Sequence, residues 1–177
     1  MKYYNILKLL EAKQVGILYH YTSISNGIEI CEENRLKAGP DYDGISFTRN
    51  KDFHKIQREE ISTGVIFVVD GDKLSENYKI QPFNYFWNRE QGSKFYTHHD
   101  YMDEQEELVR HYAIENFSKY VIKVYIDLHH ADCYFEDIDD ESEYPHEDIA
   151  GHDDLLKYFN RFFPTEWAKW NHLNNTF

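Results

Sequence analysis

Three short segments of the sequence bring together a histidine, hydroxyl side chains and carboxylates, each beside strand-forming residues. In chain order they are residues 18–23 (LYHYTS), 44–49 (GISFTR) and 103–109 (DEQEELV), which we call the first, second and third signatures. A histidine and a threonine can orient a ribose. A carboxylate beside that ribose can stabilise the oxocarbenium-like centre that forms when a nicotinamide N-glycosidic bond breaks. The residue types therefore fit chemistry at the ribose of a nicotinamide nucleotide.

Each signature also has a simpler interpretation. A single histidine before a helix, such as His20, is more often a structural hydrogen-bonding residue. The glutamates of the third signature, Glu104, Glu106 and Glu107, fit an exposed acidic face before a strand. Only the combination of the three signatures brings the nucleotide interpretation level with these alternatives.

Metal binding is the main competing chemistry, because the sequence contains ten histidines. Several of them lie beside acidic residues, at residues 98–100 (HHD), residues 129–132 (HHAD), His146 and His152. The sequence has no His-x-x-x-His on a helix and no cysteine pair with zinc spacing. Adjacent histidines on a strand point to opposite faces of the sheet. We therefore expect no metal, and the lack of a glycine-flanked serine elbow or a phosphate-binding glycine loop disfavours other common sites.

Hydrophobic periodicity and turn residues predict the elements that must position the signatures. The strongest predicted strand is at 120–126, and the β-branched run at 65–70 predicts a buried central strand. The other predicted elements are a helix at 3–13, strands at 17–21 and 45–48, a helix from 24 to about 34 capped by Thr22 or Ser23, a polar helical stretch at 50–61, a turn at 70–72, a strand or short helix at 104–109, and an amphipathic helix beyond 154. Separated strands with few regular crossover helices predict an α+β fold.

Together, the signatures resemble the ADP-ribosyltransferase superfamily, whose core holds a nicotinamide dinucleotide in a cleft between two small sheets. Residues 19–22 (YHYT) match three of the four positions of that family's Tyr-His-Gly-Thr-like element, with Tyr21 in place of the glycine. Residues 44–49 resemble the family's second core strand, although its usual tyrosine is missing. Residues 104–106 (EQE) resemble the Glu-x-Glu element that supplies the catalytic glutamate. The resemblance implies two small, mostly antiparallel sheets around a cleft, with peripheral helices.

The resemblance also implies roles for the residues of the first and third signatures. It makes His20 and Thr22 ribose binders, with His20 donating a hydrogen bond, and it assigns the nicotinamide carboxamide to the main chain at Tyr21. It makes Glu106 the catalytic carboxylate, with Glu104 as its companion in the element. NAD+ is the implied substrate.

For the second signature, the resemblance implies a nicotinamide wall made of Phe47 with Ser46 or Thr48. An aromatic face against the cationic nicotinamide contributes ~1 kcal/mol of cation–π attraction. The basic residues that follow, Arg49 or Lys51, are suited to neutralising the pyrophosphate of the dinucleotide.

Residues 1–128 are also similar to small proteins of large tailed phages. Those proteins begin with a short helix and carry elements that match residues 18–23, 46–50, 69–75 and 104–107. The similarity implies a phage setting and a host target. It indicates no particular activity.

Composition predicts one domain over residues 1–177, comprising the core at 1–128, an acidic loop at 132–154 and a helical tail at 155–171. The two cysteines lie outside any metal or redox spacing, which suits a reducing compartment. The sequence has no apolar run long enough for a membrane span and no signal peptide. We therefore predict a cytoplasmic protein, in the cytoplasm of the host cell if a phage encodes it. The net charge is −13, and residues 132–154 hold eleven acids without a Lys or Arg. Such a segment repels long nucleic acid. It suits either solubility, which we favour, or a basic host protein.

The sequence thus predicts an ADP-ribosyltransferase-like protein that uses NAD+ to modify a host macromolecule. The competing hypothesis is a non-enzymatic binder that sequesters a nucleotide or blocks a basic host protein through its acidic surface. The missing glycine and tyrosine of the family pattern favour the second hypothesis somewhat, so catalysis itself is left open. A third interpretation is an NAD+ or nucleotide hydrolase without a macromolecular acceptor.

Overall fold

The computed structural model describes residues 14–39, 44–51, 64–82, 106–136 and 149–168. Within these ranges it is an α+β structure whose main sheet is mostly antiparallel, as the sequence predicted. The strands are β1 (Ile17–Thr22), β2 (Arg35–Lys37), β3 (Ile45–Thr48), β4 (Val65–Asp70), β5 (Ile80–Pro82), β6 (Glu106–Val109), β7 (Ala113–Glu115), β8 (Val121–Asp127) and β9 (Thr165–Ala168). Seven of these strands form the main sheet in the order β5-β6-β3-β1-β4-β8-β9, and β2 pairs with β7 separately.

The centre of the main sheet is β4, which pairs antiparallel with β1 on one side and with β8 on the other. Its β-branched and aromatic sequence, VIFVVD, suits a buried strand. Phe67 is completely buried on the core side, where its ring meets Phe117 and Phe163 edge-on at centroid distances of 5.6 and 5.8 Å. The strand therefore anchors the core against which the site strands are held.

The described helices are α1 (Ile24–Glu33), α2 (Gly71–Ser75), α3 (Leu128–Glu136) and α4 (His152–Asn160). The helix α1 begins at Ser23, whose hydroxyl accepts a hydrogen bond from the amide of Asn26, and it ends at Asn34 in the left-handed conformation. Its buried side chains join those of α4 in the core, which Leu155 and Phe159 enter with no exposed surface. One side of the main sheet is thus covered by helices.

Two predicted elements differ from the observed ones for local reasons. Residues 70–72 do not form a simple turn, because the Asp70 carboxylate accepts a hydrogen bond from the Lys73 amide and starts α2. The helical tail predicted at 155–171 ends at Asn160. Pro164 has no amide to donate to a helix, and the Asn160 side chain accepts from the Thr165 amide instead, which leads the chain into β9.

The acidic segment is helical at both described ends. Its first residues complete α3, and its last residues begin α4, so the loop predicted over 132–154 is not a loop throughout. Tyr134 and Phe135 pack on the core at its start. The predicted helix at 3–13, residues 52–61 of the helical stretch predicted at 50–61, and residues 137–148 lie outside the described residues; residues 50 and 51 are described and are not helical. Within the described part of the chain, no helix has the length and apolar character that a membrane span requires.

Candidate functional site

The three signature segments form neighbouring strands of the main sheet. The first signature contains β1, the second contains β3 and the third contains β6, and the sheet places β3 between the other two. All pairings are antiparallel, with Tyr19 opposite Thr48 and Thr48 opposite Glu106. Segments separated by up to about 90 positions in sequence therefore meet within three adjacent strands.

His20 is the best-defined polar side chain of this region. Its Nδ1 lies 2.9 Å from the carbonyl oxygen of Ser46, and its ring rests on Phe47 at a centroid distance of 5.6 Å. A carbonyl only accepts, so Nδ1 carries the proton. Burial lowers the pKa of His20 below its ordinary value, and the bond to Ser46 offsets only part of this effect. In the neutral ring, Nε2 is an acceptor, so His20 is suited to accept a hydrogen bond from a ribose hydroxyl. The resemblance had instead implied that His20 donates one.

The depressed pKa of His20 makes a prediction for stability. A group with a lowered folded-state pKa contributes stability above its unfolded pKa, about 6.5, and that stability is lost as the pH falls through the folded value. We expect the free energy of unfolding of the wild type to fall more steeply than that of His20→Asn as the pH drops below about 6.5. Denaturant titrations at each pH measure the difference, and parallel profiles would contradict the assignment. An NMR titration of the ring gives the pKa and the Nδ1–H tautomer directly.

The second signature ends in an ion pair that the sequence did not predict. Arg49 donates from Nε to Glu107 Oε1 at 2.7 Å and from Nη1 to the carbonyl of Val15 at 2.6 Å. The Glu107 residue is only 4% exposed. The guanidinium that the sequence assigned to a pyrophosphate is thus engaged with protein groups.

The remaining residues of the first two signatures have mixed environments. Phe47 is 2% exposed and supports the His20 ring from within the core. Thr48 is buried and accepts from the Asn50 amide, whereas Ser46 is exposed. Tyr21 donates from its hydroxyl to the Lys51 carbonyl at 2.7 Å, and half-buried Thr22 pairs with Val65.

The register separates the two adjacent glutamates of the third signature. Glu107 pairs with Phe47, so it belongs to the side of the sheet where Phe47 meets His20. Glu106 pairs with Thr48, and consecutive strand residues alternate between the two faces. Glu106 is also the first residue of β6, at the end of the sheet where β3 ends and β1 begins. Glu104 lies outside the described residues.

The histidines outside the signatures do not form a metal cluster within the part of the chain that the structure describes. His152 instead contacts Asp132, with Nε2 2.8 Å from Oδ1, and ties the start of α4 to α3. Its ring packs against Phe135 and Trp167 at centroid distances of 5.1 and 5.9 Å. Burial raises the pKa of the Cys31 thiol to about 12, which keeps this cysteine protonated and poorly nucleophilic.

Comparison of the chain with family models, with curated proteins and with solved structures finds no match.

Sequence reasoning overlooked Val15, Asp72 and the pairing role of Glu107. The Val15 carbonyl accepts a hydrogen bond from Arg49, and the Asp72 carboxylate accepts one from the Val15 amide. The available signal was the single basic residue at the end of the second signature facing a run of glutamates in the third. An arginine beside a buried carboxylate on a neighbouring strand is a common way to satisfy both charges.

Proposed function

We propose that this protein binds NAD+ across β1, β3 and β6 in the manner of an ADP-ribosyltransferase and transfers ADP-ribose to a macromolecule of a host cell. The observation that carries the proposal is the adjacency of the three signature strands in one sheet. Their residue types resemble the family's three elements, and neighbouring strands are what a shared ligand site requires. The proposal includes a cleft between two small sheets, as in that family.

In this proposal His20 accepts a hydrogen bond from a ribose hydroxyl. The neutral ring and the Nδ1–H bond to Ser46 leave Nε2 suited to that task. Phe47 fixes the ring from the core side, so its contribution is to hold His20 rather than to offer an open aromatic wall. The exposed hydroxyl of Ser46 is the accessible hydroxyl of the second signature.

The reaction breaks the bond between C1′ of the ribose and the nicotinamide nitrogen. Nicotinamide leaves with the bonding electron pair, and an acceptor nucleophile forms the new bond to C1′ while losing its proton. The positive charge that develops on the ribose needs a nearby carboxylate. We assign that role to Glu106, because the other carboxylate of β6 is neutralised by Arg49. By register Glu106 lies on the opposite face from His20, so the ribose has to reach it around the end of the sheet where β6 begins.

A second candidate function is binding without transfer, in which the same cleft sequesters NAD+ or a related nucleotide. One observation favours it: the register assigns Glu106 to the same face of the sheet as Thr48 and Tyr19, whereas His20 contacts Phe47 on the opposite face. A ligand on the His20 face alone would then meet no unpaired carboxylate among the described residues of β6.

Calorimetric titration with NAD+ and a turnover assay separate these functions. We expect saturable NAD+ binding that His20→Asn weakens about threefold to tenfold, the range of one lost hydrogen bond. His111→Asn is the matched control, because His111 also bonds a carbonyl, Ala113 O, through Nδ1 but lies by the small sheet. Nicotinamide release with ADP-ribose on a lysate protein supports transfer, and binding without release supports sequestration. No NAD+ binding would refute both transfer and the sequestration of NAD+.

A further inference from the structure

A chain of four hydrogen bonds joins α2, the start of β1, β3 and β6. The Asp72 carboxylate accepts from the amides of Val15 and Gly16 at 2.6 and 3.0 Å. The carbonyl of Val15 accepts from Arg49, and Arg49 donates to Glu107. The backbone at Val15 is therefore held by a carboxylate on one side and by a guanidinium on the other.

Close packing holds the same corner. The Gly71 amide donates to the Gly16 carbonyl at 2.8 Å, and a Cβ at position 71 would lie 2.5 Å from that oxygen. Only glycine permits this approach of backbone to backbone. These contacts fix the start of β1 relative to α2, and Arg49 in addition links the start of β1 to β6.

The ion pair at the far end is poorly exposed, because the side chain of Glu107 is 5% accessible and that of Arg49 is 30% accessible. Removing one member of a buried pair leaves the other charge uncompensated, which is strongly unfavourable. The pair joins β3 to β6 diagonally, next to the register positions Phe47–Glu107 and Thr48–Glu106. A slip of one residue would move every β6 side chain to the other face of the sheet.

We propose that Arg49 and Glu107 are positioning residues that fix β6, and with it Glu106, in register with the strand that carries His20. They act through the strand pairing and do not contact the dinucleotide. This inference rests on the proposed function for its effect on turnover. The network itself stands on the geometry alone.

The opposing hypothesis, from the sequence, is that Arg49 neutralises the pyrophosphate. The two hypotheses differ in sign for Glu107→Ala. If Arg49 binds the ligand, releasing it from Glu107 should tighten ADP-ribose binding, and Arg49→Ala should weaken it. If the pair positions β6, both substitutions should leave ADP-ribose affinity nearly unchanged and should lower kcat instead.

The experiment measures the Kd of ADP-ribose by calorimetry and kcat and KM for NAD+ in Glu107→Ala, Arg49→Ala and Glu107→Gln. We expect Kd and KM within about twofold of the wild type and a kcat about tenfold to a hundredfold lower in both alanine variants, as for a small misplacement of a reacting group. Glu107→Gln keeps an acceptor for Arg49 and should restore most of kcat. Arg35 and Glu115 form an exposed pair between β2 and β7, so Glu115→Ala is the control that should change nothing.

Amide hydrogen exchange tests the network independently of turnover. In Glu107→Ala, the amides of residues 107–109 should exchange at least tenfold faster than in the wild type. In the milder Glu107→Gln, they should also exchange faster, but by less than tenfold. The exchange rates of the α4 amides should not change in either variant. Unchanged β6 exchange overturns the inference, as does tighter ADP-ribose binding in Glu107→Ala. Faster β6 exchange in a protein that neither binds nor cleaves NAD+ supports the network and refutes the proposed function.

Discussion

Glu106→Gln is expected to lower NAD+ cleavage at least about a hundredfold while leaving the fold intact. The substitution keeps the shape of the side chain and removes the charge that would stabilise the cationic ribose, and loss of one such electrostatic group typically costs 10²–10³ in rate. Because Glu106 opens β6 at a strand end, we expect the free energy of unfolding to change by no more than ~0.5 kcal/mol. Nicotinamide release and thermal unfolding, measured on the same preparations, give both quantities.

The matched control for Glu106→Gln is Glu166→Gln. Glu166 lies on β9 at the opposite edge of the same sheet, where it faces Lys123 at 3.5 Å. That variant should retain wild-type turnover. Full turnover in Glu106→Gln would remove this residue from the chemistry. The role would then pass to Glu104, the other glutamate of the Glu-x-Glu element.

Phe67→Ala is expected to destabilise the protein by about 3–5 kcal/mol, the usual cost of emptying a large aromatic site in a core. Phe67 has no exposed surface and meets Phe117 and Phe163 edge-on, so its removal leaves a cavity on the core side of the central strand. Since native domains are stable by only ~5–15 kcal/mol, this is a large fraction of the total. Denaturant-induced unfolding measures it.

Phe162→Ala provides the comparison for Phe67→Ala. Phe162 is 42% exposed beyond the end of α4, and the same substitution there should cost no more than about 1 kcal/mol. Equal losses at the two positions would show that Phe67 does not hold the core as its burial indicates.

The sequence predicted the central strands well, because their signal is local. The run VIFVVD gave β4 its bounds, and the strand-forming residues around His20 located β1 within one residue of its observed end. The three-residue strands β2 and β7 were missed, because their pairing of Arg35 with Glu115 depends on contacts about 80 positions apart. Propensity over three residues carries too little information to reveal such a pair.

The candidate site shows the same division between local and long-range information. Residue types in the signatures selected β1, β3 and β6, which the structure makes neighbours. The sequence could not decide which of Glu106 and Glu107 shares a side with Phe47, because one step in register exchanges the two faces. It also could not foresee that Arg49 would be held by a main-chain carbonyl, since any residue supplies one.

The contact between His152 and Asp132 joins the two described ends of the acidic segment. The chain between β8 and β9 passes through α3, residues 137–148 and α4. In this contact, Nε2 of His152 in α4 lies 2.8 Å from Oδ1 of Asp132 in α3. Residues 137–148 contain seven acids, so replacing them with a short glycine–serine linker would take seven negative charges from the protein while both anchoring helices keep their core contacts. The charge of the protein can thus be varied by one genetic exchange, separately from the NAD+ binding proposed for β1, β3 and β6 and without truncating the chain ahead of β9.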